Sequence, residues 1–328
     1  MRKVSEEDYK NFISWALSNT ADRVYPCSIA EGFQSGDIYV NDCDELRAVF
    51  FWHYCGFGYI SGKASEDFLQ DIYDKMLFNQ SGRRLVLITA DDDVTAFFSG
   101  RDVSTDLRVE YNYLPMHGTI SIVSRENQTE QIVTEDVSQN GNPQTRNASG
   151  DVIQNVYAPA RNVSGDIIQN GFQLERNAPG DITQNINKPD WIESGKIYQK
   201  EKDYQIERIT RENISNIEGR IIPSFSWETP ERFLKNGFGY AAIDHGKVCA
   251  VAFSAAVSYD EVDIGVETHE DYRRRGLAAV LAGRMCEHII SIGKKPVWGH
   301  SISNKGSMNT ALKCGFVQRN INTVISKK

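Results

Sequence analysis

Three consecutive arginines followed by a glycine, residues 273–276, form the segment best suited to bind a phosphorylated ligand. Residues 261–268 before them are typical of a strand, and residues 279–292 after them have the periodicity of an amphipathic helix. The first backbone N–H groups of a helix have no acceptor inside it, and the helix dipole attracts anions to the same end. Gly276 allows the backbone to approach a ligand closely, and the arginines add charge-assisted hydrogen bonds. We therefore predict a phosphate-binding loop here.

The strand before this loop carries carboxylates suited to proton transfer. Because side chains alternate across a strand, Glu261, Asp263 and Glu267 share one of its faces. A carboxylate on that face can accept a proton directly or through a water molecule. We favour Glu267, which is nearest the loop, as the catalytic base, with Asp263 second. The alternative is that these carboxylates pair with a basic neighbour or bind the ammonium group of a substrate.

A second motif follows the predicted helix and a predicted strand at 297–301: Asn304-x-x-Ser307-x-x-x-Ala311-x-x-x-Gly315-Phe316. Together with Arg273-x-x-Gly276-x-Ala278, it resembles the two-part signature of the GNAT acetyltransferases, in the same order and at similar spacing. Upstream, residues 225–233 and 237–240 resemble the branch related to zwittermicin-resistance acetyltransferases. In that branch a degenerate N-terminal half precedes the GNAT half.

The resemblance implies acetyl-CoA as the acetyl donor and direct attack of an amine on its thioester, with no metal. It implies that the pantetheine arm bonds to the exposed backbone edge of strand 261–268, and that the start of helix 304–314 also contacts the donor. The predicted donor-binding residues are therefore Val266, Thr268, Arg273, Arg274, Arg275, Gly276, Leu277, Ala278, Asn304 and Ser307.

The general acid of the family has no counterpart here. Many members carry a tyrosine four residues before the Gly-Phe pair, where it can protonate the leaving thiolate, and Ala311 occupies that position. Because coenzyme A thiolate is a tolerable leaving group, this absence does not exclude activity. Cys314, His269 and His300 lie near the predicted site, and we expect structural roles for them.

The order of elements predicts an α/β protein with three regions. Residues 191–328 follow the order of the GNAT fold, which has a mixed, mostly antiparallel central sheet flanked by helices. Residues 1–118 predict a smaller α/β N-terminal domain, which the resemblance identifies as a candidate degenerate GNAT-like half. Its expected elements are a helix from Ser5 with apolar residues to Leu17, a strand at 47–54, a helix at 65–79 and a strand at 84–89.

Residues 119–190 form an insertion with an internal repeat of fifteen residues. The copies are 146–155, 161–170 and 176–185, each with a Ser-Gly or Pro-Gly turn before a short strand-like stretch. Stacked copies would align Val152, Ile167 and Ile182 in one apolar row. Two alternatives stay open: a folded array, or a weakly ordered insertion whose few apolar residues do not offset the entropy of ordering.

The composition limits the partners. The chain has 328 residues, a net charge of −8 and a pI near 5.4, so nucleic acid is not expected as a partner, whereas a cationic amine is compatible. No apolar run approaches the roughly eighteen residues of a membrane span, and the N-terminus lacks the apolar stretch of a signal peptide. Six cysteines are scattered without a C-x-x-C pair, which favours reduced thiols in the cytoplasm.

The leading interpretation is an acetyl-CoA-dependent N-acetyltransferase acting on a primary amine of a small molecule, such as an antibiotic or a metabolite. The alternative is a catalytically weak coenzyme A-binding sensor or interaction module, because Ala311 replaces the usual acid and the repeats offer a surface for partners. The sequence predicts neither the amine nor the oligomeric state.

Overall fold

The computed structural model describes residues 1–42, 45–78, 82–114, 120–126, 129–135, 175–176, 182–183 and 204–328. The chain divides into two compact units, one formed by residues 1–113 with 197–328 and the other by residues 114–196. The segments 1–113 and 197–328, which lie far apart in the sequence, thus share one unit.

The larger unit contains one twelve-stranded sheet. From the first part of the chain come β1 to β6: Arg2–Lys3, Gly36–Val40, Ala48–His53, Phe57–Gly62, Val86–Thr89 and Val103–Tyr113. The smaller unit contributes none of its strands to this sheet; they are β7 to β10: Ile120–Glu126, Thr129–Glu135, Glu175–Arg176 and Ile182–Thr183. From the last part come β11 to β16: Gln205–Arg208, Gly239–Asp244, Lys247–Val257, Glu261–Thr268, Lys295–Ser301 and Phe316–Lys327.

The strand order of the large sheet is a palindrome. It runs β1-β2-β3-β4-β5-β16-β6-β15-β14-β13-β12-β11. The strands β1 to β6 correspond, in chain order, to β11 to β16. If each strand is exchanged with its counterpart, the same order is read from the opposite edge of the sheet. Only β4 with β5 and β14 with β15 pair in parallel, and the other neighbours are antiparallel. The mixed, mostly antiparallel sheet expected from the sequence is confirmed. We call residues 1–113 the N-terminal half and residues 204–328 the C-terminal half.

The last strand of each half lies among the strands of the other. β6 pairs with β15 and β16, and β16 pairs with β5 and β6. β16 extends over twelve residues, because it pairs along its length with two strands that are distant in the sequence.

Seven α-helices accompany the sheet in the described residues: α1 Ile13–Leu17, α2 Val24–Ala30, α3 Glu66–Phe78, α4 Asp92–Phe98, α5 Pro230–Asn236, α6 Leu277–Ser291 and α7 Lys305–Lys313. α6 buries Leu281, Met285 and Ile289 completely and contacts β12 to β15, as its apolar periodicity predicts. The N-terminal helix differs from the expectation. Residues Glu6–Phe12 form a 3₁₀ helix, and Leu17 is 43% exposed, because only one short turn of α1 follows.

The repeats lie almost entirely outside the described residues. The copies at 146–155 and 161–170 are not described at all. Around the third copy, Glu175–Arg176 pairs antiparallel with Ile182–Thr183. In the smaller unit β7 and β8 also form an antiparallel hairpin.

Candidate active site

A groove opens where β14 and β15 separate. The two strands pair in parallel only from Glu261 with Lys295 to Asp263 with Val297. Beyond that point β14 continues beside β13 as far as Thr268, and β15 continues beside β6. The edge of β14 from Ile264 to Thr268 therefore has no strand partner among the described residues, so its backbone can bond to a ligand.

The backbone groups at this edge are those of Val266 and Thr268. The His269 N–H donates to the Cys249 carbonyl on the β13 side, at 2.9 Å. Because bonding alternates along an antiparallel pair, the N–H and C=O groups of Val266 and Thr268 point away from β13 and into the groove. The buried Thr268 hydroxyl has no hydrogen-bond partner within the described chain. An extended polar ligand would supply the missing partners.

The groove leads to the loop before α6, which has the conformation of an anion site. Gly276 caps α6 with a φ of 84°, and Arg274 has a φ of 64°. The backbone N–H groups of residues 274–278 have no acceptor in the part of the chain that is described. A helix N-terminus with free N–H groups and positive charge suits a pyrophosphate. The residues present therefore fit the phosphates of coenzyme A.

The three arginines of the loop have different roles. Arg273 donates from Nε to the Thr268 carbonyl at 3.2 Å. Arg275 donates to the Asp271 carbonyl at 2.6 Å and to the Tyr204 hydroxyl at 3.2 Å. Arg274 is exposed and has no hydrogen-bond or ion-pair partner among the described residues. Arg273 and Arg275 thus brace the loop, and Arg274 is left to contact a ligand.

The Glu267 side chain contacts the segment at 219–221, which follows β11. Its Oε2 accepts the Ile221 backbone N–H at 3.0 Å, and its Oε1 lies 3.9 Å from Arg273. Gly219 packs so closely that a Cβ there would lie 2.7 Å from Glu267 Cγ. These contacts give Glu267 a role in holding the loop at 219–221 against β14.

Asp263 lies at the closed end of the groove, in the last pair that joins β14 to β15. It is 5% exposed, and its Oδ2 accepts a hydrogen bond from the Tyr25 hydroxyl at 2.7 Å. Burial raises the pKa of Asp263 to about 6, while Arg108 and the Tyr25 hydrogen bond oppose the increase. A carboxylate with this pKa can accept a proton near neutral pH.

A buried ion pair adjoins Asp263. Arg108 Nε donates to Glu110 Oε1 at 2.6 Å, and both residues belong to β6. Gly299 lies opposite Glu110 on β15, and a Cβ at this glycine would collide with the Arg108 guanidinium. Burial raises the pKa of the Glu110 carboxyl, and the Arg108 guanidinium beside it opposes this increase and favours the ionised form. Sequence reasoning missed this pair and Tyr25, because all three come from the N-terminal half and no local motif marks them.

The second half of the signature forms the start of α7. Asn304 caps the helix by accepting the Ser307 N–H at 3.0 Å, which leaves its side-chain nitrogen without a hydrogen-bond partner in the described residues. Ser307 Oγ accepts the Trp298 indole N–H at 2.9 Å. Ala311 is completely buried, and its methyl side chain has no proton to give to a thiolate.

The other polar residues considered near the site have structural partners. His269 caps the 3₁₀ turn Glu270–Tyr272 through the Asp271 N–H, at 3.4 Å. His300 contacts the Tyr111 hydroxyl at 3.1 Å. Burial raises the pKa of Cys314 to about 12, so its thiol is protonated at neutral pH. These observations agree with the structural roles expected for them.

The described residues contain neither a metal-binding cluster of side chains nor a helix able to span a membrane. No cluster of three or more histidine, cysteine, aspartate or glutamate side chains suited to a metal ion occurs in the part of the chain that is described. Among the described helices, none combines the length and apolar character needed to span a membrane.

Comparisons with known proteins agree with this geometry. Residues 95–324 match the family described as GNAT acetyltransferase. The protein named "Uncharacterized N-acetyltransferase YdfB" from Bacillus subtilis (strain 168) is 30% identical over 90 residues, which are 27% of this chain and 34% of that protein. The match therefore spans about a third of the relative's length.

Solved structures share the fold over the whole chain. A GCN5-related N-acetyltransferase-like protein from Streptococcus suis 89/1591 has a TM-score of 0.55 at 16% identity, covering 99% of this chain and 100% of that one. A tandem GNAT protein from the clavulanic acid biosynthesis pathway has a TM-score of 0.51 at 8% identity, covering 99% and 96%. At these identities the likeness establishes the fold alone, and it confirms the GNAT-type α/β architecture.

Proposed function

Because the chain belongs to the GNAT acetyltransferase family, in which acetyl-CoA is the acetyl donor, we propose that it acetylates a primary amine of a small molecule, such as an antibiotic or a metabolite. The observation that carries this proposal is the unpaired edge of β14, which runs from the free N–H groups at residues 274–278 to the buried carboxyl of Asp263. The net charge of −8 supports attraction of a cationic amine.

Acetyl-CoA would bind along this edge and supply an activated thioester. The backbone N–H groups from Arg274 through Gly276, Leu277 and Ala278 would hold its pyrophosphate, with the Arg274 guanidinium as an added cation. The backbone of Val266 and Thr268 would bond to the pantetheine arm, and the Thr268 hydroxyl gains a partner there. Asn304 and Ser307 at the start of α7 would contact the same arm from the β15 side. Arg273 and Arg275 would keep the loop in its binding conformation.

Asp263 is the better candidate for the catalytic base. It lies at the closed end of the groove, whereas Glu267 lies at the mouth, four residues or about 13 Å along the strand. The thioester is at the far end of the donor from the pyrophosphate, so it would lie towards Asp263. Glu267 is already bound to the Ile221 N–H. We propose that Asp263 takes up the amine proton, directly or through water, and that Glu267 positions the loop at 219–221.

The N-terminal half supports assignment to a two-half branch of the family. Its strands mirror those of the C-terminal half, and the resemblance of residues 225–233 favours the zwittermicin-resistance-like branch. We propose residues 1–118 as a degenerate GNAT-like half, 119–190 as an insertion and 191–328 as the catalytic half. The five described cysteines that are free thiols fit a reducing cytoplasm.

A catalytically weak coenzyme A-binding module is the second candidate, favoured by one observation. Ala311 is completely buried at the position of the family's usual proton donor. In this case acetyl-CoA would bind without measurable turnover.

Turnover with a panel of amines tests the proposal. Purified protein is incubated with acetyl-CoA and primary amines, including aminoglycosides, polyamines and amino acids, and thiol release is followed. Amine-dependent release, absent in Asp263→Asn, supports an acetyltransferase. Tight binding of acetyl-CoA without release for any amine would instead favour the binding module.

A further inference from the structure

Tyr25 extends from the N-terminal half into the candidate active site of the C-terminal half. It lies on α2, which contacts β3 of its own half and β13 and β14 of the other. Its hydroxyl donates to Asp263 Oδ2 at 2.7 Å, and the side chain is 1% exposed. Among the described residues it is the only side chain seen to donate a hydrogen bond to this carboxylate, and the Ile264 backbone N–H also favours its ionised form.

Aromatic neighbours hold the Tyr25 ring in place. His53 and Phe57 meet it edge-on, with ring centroids 5.0 and 5.3 Å away, and Tyr59 stacks on it at 6.0 Å. All three neighbours belong to the N-terminal half. Because the ring is packed on several sides, the direction of its O–H bond towards Asp263 is fixed.

Gln34, a few residues after α2, anchors the same segment to the strand next to Asp263. Its Nε2 donates to the Ser226 and Ala255 carbonyls at 3.1 and 3.0 Å, and its Oε1 accepts the Val257 N–H at 3.1 Å. Ala255 and Val257 lie on β13, which bulges between Ser254 and Ala256, directly opposite Ile264 and Asp263 on β14. Gln34 therefore locks the bulge to the segment that presents Tyr25.

The other groups that act on Asp263 come from several elements. Arg108 and Glu110 face it from β6, Asp22 precedes α2, and Cys55 follows β3. Arg108 favours the ionised form of Asp263, whereas Asp22 disfavours it. The Tyr25 hydroxyl is the one direct hydrogen bond within this set.

We infer that Tyr25 is a positioning residue for acetyl transfer: its hydroxyl orients the Asp263 carboxylate and favours its ionised form, so the N-terminal half completes the catalytic site of the C-terminal half. This inference rests on the proposed function, in which Asp263 takes up the amine proton. Tyr25 itself exchanges no proton with the substrate.

The inference predicts a direction for the pH dependence. The hydrogen bond from Tyr25 lowers the pKa of Asp263, which stands at about 6 with the bond present. Removing the hydroxyl therefore raises that pKa. A base acts only when deprotonated, so activity in Tyr25→Phe should fall most at low pH and recover as the pH rises above the new pKa.

The test compares Tyr25→Phe with Tyr59→Phe. Each removes one buried hydroxyl from stacked rings, and the Tyr59 hydroxyl has no hydrogen-bond partner in the described chain. We expect Tyr25→Phe to shift the acidic limb of the pH profile of kcat/KM to higher pH by about one unit. On the acidic side, kcat/KM should therefore be roughly tenfold lower than in the parent. The KM for acetyl-CoA should not change, and Tyr59→Phe should match the parent. An unchanged limb in Tyr25→Phe, or an equal shift in both variants, would overturn the inference.

A second measurement does not depend on turnover. The Asp263 carboxyl carbon is labelled with ¹³C, assigned by its loss in Asp263→Asn, and titrated by NMR. Its midpoint should rise in Tyr25→Phe; in protein carrying 3-fluorotyrosine at position 25, a stronger donor, it should fall. Equal midpoints would overturn the inference even if the enzyme is active. Shifted midpoints in a protein that acetylates no amine would sustain the Tyr25–Asp263 coupling and refute the proposed function instead.

Discussion

The two halves of the sheet contain the same kind of groove, but they differ in the charge and backbone conformation of the residues that begin the following helix. In the N-terminal half β4 and β5 pair in parallel at Phe57 with Val86 and Gly58 with Leu87, and then separate. In the C-terminal half β14 and β15 separate after three pairs. A strand divergence beside a helix is therefore a property of the topology, which both halves share.

The residues at the start of the following helix make the difference. α6 begins after an arginine-rich turn with a left-handed glycine, and its first N–H groups are free. α3 begins with Glu66 and Asp67, and the Phe68 N–H is already bonded to the Ser65 hydroxyl at 3.3 Å. Carboxylates at a helix N-terminus repel a pyrophosphate. The groove therefore comes from the fold, whereas the groups suited to bind an anionic ligand come from the loop before α6.

The N-terminal half nevertheless has two contributions to the other groove. Its strand β6 lies between β15 and β16, and its Tyr25 reaches Asp263. Under the proposed function, the N-terminal half therefore contributes a strand and a positioning residue to the site of the C-terminal half.

Separating the halves should have the largest effect. A fragment of residues 197–328 lacks β6, whose Val109 and Tyr111 are 4% and 3% exposed in the shared core. We expect the fragment to show no cooperative thermal transition by circular dichroism, and co-expression with residues 1–113 to restore it. A fragment that folds and binds acetyl-CoA alone would remove the structural role of the N-terminal half.

The two candidate bases on β14, Asp263 and Glu267, should differ in their effect on turnover. Asp263→Asn removes the proposed base and should lower kcat by roughly 10² to 10⁴, the usual range for general-base catalysis, with the Kd for acetyl-CoA unchanged. Glu267→Gln keeps an acceptor for the Ile221 N–H and should lower kcat less than about tenfold. Steady-state kinetics with a matched binding titration measures both; the reverse order of effects would restore Glu267 as the base.

A charge at the loop glycine should abolish donor binding. Gly276→Glu places a carboxylate at the anion site, and we expect the Kd for acetyl-CoA to rise roughly 100-fold or more, about 2.8 kcal/mol. Gly293→Glu is the matched control at the other end of α6, because Gly293 has a φ of 75° and open space like Gly276. Equal affinities for the two variants would place the donor elsewhere.

The smallest effect should come from the free guanidinium. Arg274→Ala removes the loop arginine that has no partner among the described residues, and we expect about a tenfold loss of affinity, consistent with about 1.4 kcal/mol for one charge-assisted hydrogen bond. Arg284→Ala is the control within α6, where Arg284 pairs only with the exposed Glu287 at 3.6 Å. The Arg274 effect should shrink at high salt; an equal, salt-independent effect in both variants would argue against contact with the pyrophosphate.

Features that depend on local sequence were predictable, and those that join distant residues were not. The helix α6 and the strand β14 follow from apolar periodicity within about fifteen residues. β6 lies beside β15, and the Tyr25 hydroxyl donates a hydrogen bond to Asp263, 238 residues away in the sequence. Both contacts arise because each half places its last strand among the strands of the other half. No periodicity encodes that exchange, so the sequence indicated three carboxylates on one face of β14 without indicating which of them accepts a hydrogen bond from a buried tyrosine.

Isothermal titration of the full-length chain with acetyl-CoA tests the central claim most directly, because both halves have the groove and only one has the loop. We predict that one acetyl-CoA binds per chain in the parent and in Gly293→Glu, and that binding is lost in Gly276→Glu. Two molecules per chain, or one molecule that persists in Gly276→Glu, would contradict it.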